Sequence, residues 1–203
     1  YLLSLDFGTG AGRCYLISTD GQTSFEEYQE WTYEYPAEAQ PGGAEFDAPS
    51  FWNILAGLIR KALNKADISG NDVVGISSTS QREGVVFLDK NGTELYAGPN
   101  LDMRAPADIS DFQSRFAPRI HASSGHWPFP MFLPYRLLWF QQNKPEIYEK
   151  IDSVVLLNNW MLYRLCGVPA TEPSNGTETL LVNLASRTWN KELIADIGFD
   201  PHI

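Results

Sequence analysis

Asp6-Phe7-Gly8-Thr9-Gly10-Ala11-Gly12-Arg13 lies between two short apolar runs, Tyr1–Asp6 and Arg13–Ser18. Both runs read as strands, and the glycine-rich bend between them predicts a β-hairpin. Asp20-Gly21 predicts a second turn, leading into a third strand from about Ser24 to Tyr35. A chain that opens this way carries an antiparallel start, whatever follows.

The bend also carries chemistry. Three glycines within five residues let the backbone approach a ligand with its N–H groups pointing outward, a nest suited to phosphate oxygens. Thr9 adds a hydroxyl, Arg13 a fork of donors and Asp6 a carboxylate at the strand end. A carboxylate beside bound phosphate calls for a bridging Mg2+, because the two anions repel. The spacing G-x-G-x-G running into a strand is not the dinucleotide fingerprint, which opens a helix. There is no Gly-Lys-Ser/Thr, and Asp6-Phe7-Gly8 stands too early for the metal-binding triplet of protein kinases. A plain glycine-rich hairpin turn without a ligand stays open.

Working outward, Pro36–Gly43 reads as a loop. A helix follows, capped by Asp47 or Ser50, with Phe51, Trp52, Leu55, Leu58, Ile59, Ala62 and Leu63 on one face. Val73–Ser78 reads as a buried strand and Gly84–Leu88 as another, with Asn91-Gly92 as a hairpin turn. Ala107, Ile109, Phe112 and Phe116 predict a helix ending before Pro118. Further helices are expected over Leu133–Gln142, over Asn158–Cys166 with a stop at Gly167, and from about Asn190 to Ile197 with a stop at Gly198. Hairpins first, then strands mixed with helices, predict a mixed α/β domain. No internal repeat is present.

The chain has 203 residues, enough for a core without disulfides or metal. Its formal net charge of -10 disfavours nucleic acid and anionic membranes as partners. Apolar runs are too short to span a bilayer, no secretory leader is visible, and Cys14 and Cys166 make no framework. The expected location is cytoplasmic. The chain opens inside a strand-like run and closes straight after a helical pattern, so a piece of something longer is expected.

Two polar segments follow the strands. Ser77–Gly84 lies between two apolar runs, at a sheet edge where α/β folds bind ligands. Arg82 and Glu83 pair donors with an acceptor, which suits neighbouring hydroxyls of a polyol; a solvated surface ion pair is the alternative. Asp102 with Arg104 reads as another hydroxyl clamp, or Asp102 as a helix N-cap. The loop Gly125–Phe132 reads as an apolar wall over a sugar face or as a core anchor. His121, His126 and His202 show no metal or triad spacing, and most tryptophans read as core.

In order along the chain, these segments resemble the N-terminal domain of the FGGY carbohydrate kinases. Asp6-x-Gly8-Thr9-Gly10-x-x-Arg13 resembles the family's first phosphate motif. Ser80-Gln81-Arg82-Glu83-Gly84 and Leu101-Asp102-x-Arg104 resemble its next two segments. Asn159-Trp-x-x-Tyr163-Arg-Leu-x-Gly167 and Thr171-Glu-x-Ser174-Asn175, then Trp189 and the last helix, resemble its later ones. Within the family, Arg82-Glu83-Gly84 and Pro41–Asp47 are similar to the autoinducer-2 kinase branch, then to glycerol kinases. Departures are Asn159 and Glu172, each where Asp is usual, and Gly10 where glycerol kinases carry Thr.

The resemblance implies a ribonuclease-H-like fold of the actin/hexokinase type: a mixed sheet starting with an antiparallel hairpin, flanked by helices. It implies ATP-dependent phosphorylation of a primary hydroxyl of a small sugar or polyol, with autoinducer-2 as one candidate. Asp6 would face the Mg2+, Thr9, Gly10 and Arg13 would line the phosphate path, and Gln81, Arg82, Glu83 and Asp102 would hold the substrate. The family's base, an Asp, lies beyond Ile203, so no catalytic residue is expected in this chain. Residues 1–203 would be most of the substrate-binding N-terminal domain, without its last part and without the C-terminal nucleotide domain. Alone the chain would be catalytically silent and bind sugar weakly. Expected partners are the sugar or polyol and ATP, and a homodimer is compatible with the reading. The alternative from another class is a non-catalytic sugar-binding or regulatory module on the same fold. An actin-like or chaperone ATPase is disfavoured, because Arg82, Glu83 and Asp102 have no use there.

Overall fold

The structure is a computed structural model that describes residues 1–106 and 109–202. The opening hairpin is present. Strand β1 (Leu2–Phe7) pairs antiparallel with β2 (Ala11–Ile17), and β2 with β3 (Ser24–Glu30). The bend closes with Gly8 N–H donating to Ala11 O at 2.9 Å, and Trp31 N–H donates to Gly10 O at 3.0 Å. Strand β3 is shorter than expected because the chain turns at Trp31, whose ring packs 4.5 Å from that of Phe7. At Gly12 a Cβ would stand 2.5 Å from the Trp31 ring, so that position admits only glycine.

Helix α1 (Ala48–Lys65) follows, with the Asp47 carboxylate accepting from Ser50 N–H as its cap. Its buried stripe, Phe51, Leu55, Leu58 and Ala62, meets Leu3, Leu5, Phe7, Cys14 and Leu16 from the sheet. Each of the larger side chains contributes about 1.5–3 kcal/mol by leaving water. Strand alternation sends Ser4, Asp6 and Arg13 to the opposite, uncovered face.

Strand β4 (Gly75–Ser80) lies parallel to β1 and completes the sheet order β3-β2-β1-β4. The expected buried strand is corrected here. Ile76 is 45% exposed and Val74 73% exposed, because β4 is the sheet's edge strand among the described residues. Its serines and Thr79 suit that position.

A second, antiparallel sheet has the order β6-β5-β7: β5 (Val85–Leu88), β6 (Glu94–Gly98) and β7 (Ser153–Leu156). Gly92, at φ +78°, makes the β5–β6 turn, and Asp89 holds the N–H groups of Asn91 and Thr93. Strand β5 is buried along its whole length. Helix α2 (Ile109–Ser124) does not end before Pro118 but runs through it. Losing one backbone bond at the proline, at roughly 3 kcal/mol, is outweighed by burying Phe112, Phe116 and Ile120 on both sides of it. Ala107, expected in this helix, lies outside the described residues.

Helices α3 (Leu133–Asn143), α4 (Pro145–Tyr148) and α5 (Leu157–Cys166) follow. Gly167, at φ +73°, ends α5 as expected. A short helix α6 (Pro173–Gly176) continues into a 3-10 turn, Thr177–Thr179. The small hairpin of β8 (Val182–Asn183) and β9 (Thr188–Trp189) and helix α7 (Lys191–Ile197) complete the chain. Among the described residues, no helix is long and apolar enough to cross a membrane.

Candidate functional site

Strands β1 and β4 run parallel, so their C-terminal ends open on the same sheet edge. The glycine bend follows β1, and Gln81-Arg82-Glu83 follows β4. The two segments are tied together. Gln81 N–H donates to Phe7 O at 2.7 Å, and Gln81 Nε2 donates to Gly8 O at 3.5 Å and to Tyr33 OH at 2.9 Å. Gln81 Oε1 accepts from Asn100 N–H at 2.9 Å, and Asn100 Nδ2 donates to Thr9 Oγ1 at 3.1 Å. Gln81 is buried and therefore braces the bend. Gly10 is exposed, and a Cβ there would meet nothing within 4 Å.

Asp6 and Arg13 face each other across β1 and β2, with Arg13 Nη1 3.2 Å from Asp6 Oδ2. Thr79 of β4 is level with Asp6 on its other side. Among the described residues, no three His, Cys, Asp or Glu side chains gather to hold a metal ion.

Arg82 and Glu83 separate sharply. The Arg82 side chain is 70% exposed, whereas that of Glu83 is 6% exposed. Glu83 has φ +61°, a left-handed conformation costly for a residue with a side chain. Burial, then the neighbouring Glu178 carboxylate, pushes the Glu83 carboxyl up to about 7, with Arg82 opposing. Arg82 reaches both carboxylates only loosely, with Nε 4.0 Å from Glu83 Oε1 and Nη1 3.8 Å from Glu178 Oε1. A cleft of about 440 Å³ opens here, between Ser78, Thr79, Ser80 and Arg82 on one wall and the 172–175 turn with Glu178 on the other.

Asp102 is elsewhere in chemical terms. It has no exposed surface. Its Oδ1 accepts from Ala44 N–H at 3.1 Å and Arg104 Nε at 3.0 Å, and its Oδ2 accepts from Tyr96 OH. It caps no helix: α2 starts seven residues later. Burial, then Asp102, raises the Tyr96 phenol well above its ordinary range. Arg136, fully buried in α3, donates to Pro99 O at 2.8 Å, Met131 O at 2.9 Å and Glu83 O at 2.8 Å. The Asp102 hub thus holds the backbone of Glu83, while its carboxylate stays out of the cleft.

Sequence reasoning missed Glu178, Asn100, Tyr33 and Arg136. A lone charge inside the apolar pattern Leu133–Phe140 was a signal for Arg136. Glu178, between two threonines and just ahead of the apolar run Leu180-Leu181-Val182, offered a weaker one. Trp127 is not core. It is 61% exposed and stacks on His121 at 4.4 Å.

Gly84 has a packing reason. A Cβ there would lie 2.3 Å from Leu157 Cδ1, at the point where Leu157 N–H donates to Gly84 O at 3.1 Å. The Arg-Glu-Gly triplet is thereby fixed by helix α5.

Comparison with known proteins gives the family and the fold. Autoinducer-2 kinase of Salmonella paratyphi A is 33% identical over 202 residues, covering 98% of this chain and 38% of that protein. The autoinducer-2 kinase of Photorhabdus laumondii is 31% identical with the same coverage. The chain thus spans about two fifths of the length of these relatives. In fold, a xylulose kinase from Rhodospirillum rubrum superimposes with a TM-score of 0.87 at 21% identity, over 99% of this chain and 42% of that one. The expected mixed α/β fold of the actin/hexokinase type is the one present. The family model for the N-terminal domain of the FGGY family of carbohydrate kinases matches residues 1–203, and the chain belongs to that family.

Proposed function

We propose that the protein containing this chain transfers the γ-phosphoryl of ATP to a primary hydroxyl of a small sugar or polyol. Residues 1–203 would be most of its substrate-binding domain, with the remainder of that domain and a nucleotide domain outside them. The coverage of about two fifths of the relatives supports this division. The observation that carries the reading is the Gln81 N–H to Phe7 O bond at 2.7 Å. It sets the phosphate-type bend and the Arg82-Glu83 couple on one sheet edge.

Within that reading Thr9, Gly10 and Arg13 line the phosphate path. Arg82 donates to substrate hydroxyls, and Glu83 accepts from or donates to them as its proton state allows. Gln81 and Asp102 act as positioning residues: Gln81 braces the bend, and the Asp102 backbone carbonyl accepts from Arg136, which holds Glu83 O. Phosphoryl transfer of this kind rests on positioning and charge neutralisation. A lone carboxylate beside a glycine bend fits a magnesium ion shared with nucleotide phosphates rather than one caged by protein. Asp6 is the residue to hold it, directly or through water, and the ion would supply charge neutralisation on the transferring group. Autoinducer-2 is a candidate substrate, supported by the 33% identity to autoinducer-2 kinase.

The test follows ADP release by the full-length protein against polyols, ketoses and the dihydroxypentanedione autoinducer. One class should support turnover. Arg82→Ala should then raise KM or lower kcat by roughly 10- to 100-fold, with an unchanged melting temperature because the side chain is mostly in solvent. Unaltered kinetics would remove Arg82 from the site.

A further inference from the structure

Glu178 stands out among the charged groups of the cleft. Its side chain is 12% exposed, it meets the Glu83 carboxyl in a side-chain hydrogen bond, and its two cationic neighbours are distant. Those are Arg82 Nη1 at 3.8 Å and His126 Nε2 at 3.9 Å, both beyond hydrogen-bond length. A carboxylate with one such bond and no cation at hydrogen-bond distance keeps lone pairs for an occupant. The backbone beneath it is firmly held. Thr177 Oγ1 donates to Ser174 O at 2.7 Å, Thr179 Oγ1 donates to Gly176 O at 2.6 Å, and Glu172 accepts from Ser174 N–H at 2.8 Å. Leu180, two residues on, has φ +64°, a second left-handed non-glycine residue beside the cleft after Glu83. The side chain is therefore placed in advance, with acceptor capacity left beyond its bond to Glu83.

We infer that Glu178 is a substrate ligand, accepting a hydroxyl proton from the same polyol that Arg82 and Glu83 bind and restricting the site to uncharged polyhydroxy compounds. This rests on the kinase reading above. The restriction follows from charge: the cleft presents Glu172 and Glu178 against the single guanidinium of Arg82. A substrate carboxylate, as in an aldonate, would meet like charge there without compensation. A neutral polyol instead supplies an O–H donor to Glu178, while Glu172 already accepts from Ser174 and Asn175.

The experiment compares wild type, Glu178→Gln and Glu178→Ala in the full-length protein. It measures calorimetric binding and ADP release with neutral polyols and ketoses, and with gluconate as the aldonate probe. The expected result is a roughly 10- to 100-fold rise in Kd and KM for the neutral substrate, with KM for ATP unmoved. The preference for neutral substrate over gluconate should narrow about tenfold in Glu178→Gln, which keeps the shape and removes the charge. Unchanged substrate constants in Glu178→Gln, or an equal shift in the ATP constant, would overturn the assignment while leaving the kinase reading intact. A wild-type protein that neither binds nor turns over any member of the panel would overturn both. Binding without turnover would still test Glu178 through Kd.

Discussion

Asp102, Arg104 and Arg136 on one side, and Arg82, Glu83 and Glu178 on the other, contain the same chemical groups in opposite conditions. In the first group each Asp102 carboxylate oxygen accepts hydrogen bonds, and Arg104 Nη2, which makes none, still pairs in charge with Glu45 Oε1 at 2.6 Å. Arg104 is further enclosed by the rings of Tyr96, Trp139 and Phe140 at 4.7–5.1 Å. In the second group every Arg82 ion pair is 3.8 Å or longer, and the carboxyls of Glu83 and Glu178 bond to each other rather than to a cation. Saturated charge holds a structure together, whereas unsaturated charge awaits a ligand. The two are mechanically joined, because Arg136 of the hub donates to Glu83 O of the cleft at 2.8 Å.

The comparison breaks most visibly at the hub. Asp102→Ala leaves Arg104 with only the half-exposed Glu45 carboxylate at 2.6 Å, orphans Tyr96 OH and Ala44 N–H, and takes from Arg136 a carboxylate 3.7 Å away. The expected loss is about 3–5 kcal/mol in denaturant unfolding, large enough to threaten folding of the domain. A loss under about 1 kcal/mol would show that the Asp102 carboxylate does not hold the hub together.

The cleft should respond to pH instead. Glu83 has its carboxyl raised to about 7 from an ordinary 4.5. A raised carboxyl favours the protonated folded state. The stability it contributes is complete below about pH 4.5 and is lost as pH rises through 7. Glu83→Gln removes that loss. Subtracting the two melting curves over this window should show a difference on the order of 2 kcal/mol, growing with pH. Parallel curves would mean that Glu83 is ionised throughout and that the cleft is wetter than its burial implies.

A third expectation concerns the joint between the regions. Gly84→Ala drives a methyl against Leu157, which is fully buried and has nowhere to move. The cost should be about 1–3 kcal/mol in unfolding, together with a fall in turnover as the 82–84 backbone shifts. An activity loss without a stability loss would contradict the packing account of this glycine.

Much of this was legible in the sequence because it is local. The hairpin around Gly8–Gly12, the α1 stripe and the glycine stops at 167 and 198 follow from spacing within one or two turns. What was not legible depends on distant neighbours. Val73–Ser78 looks buried by its valines, yet its exposure depends on how many strands flank β4. Pro118 looks like a stop, yet the apolar face continues beyond it. Asp102 and Glu83 are equally polar on paper. Only the fold shows that one is sealed beneath Tyr96 and Arg104 and the other is buried beside Glu178, a residue of the cleft wall. Glu178 reaches that cleft from a turn nearly a hundred residues away from Arg82, a separation that no spacing rule covers.

The smallest expected effect on stability sharpens the comparison from its third member, the glycine bend. Gly10 differs from its neighbour Gly12 in one respect. A Cβ at 12 strikes the Trp31 ring, and a Cβ at 10 meets nothing within 4 Å. Gly10 also lies outside the left-handed φ region. Gly10→Ala should therefore leave the melting temperature unchanged or slightly raised, by up to about 1 kcal/mol, through a less flexible unfolded chain. If packing does not require glycine at 10, the remaining physical reason is close approach by a ligand. The methyl would stand where phosphate oxygens approach the backbone N–H groups, so KM for ATP should rise about tenfold or more while sugar binding stays fixed. An ATP constant that does not move would leave the bend as a plain hairpin turn, and the phosphate path would have to be sought elsewhere along the edge of β1 and β4.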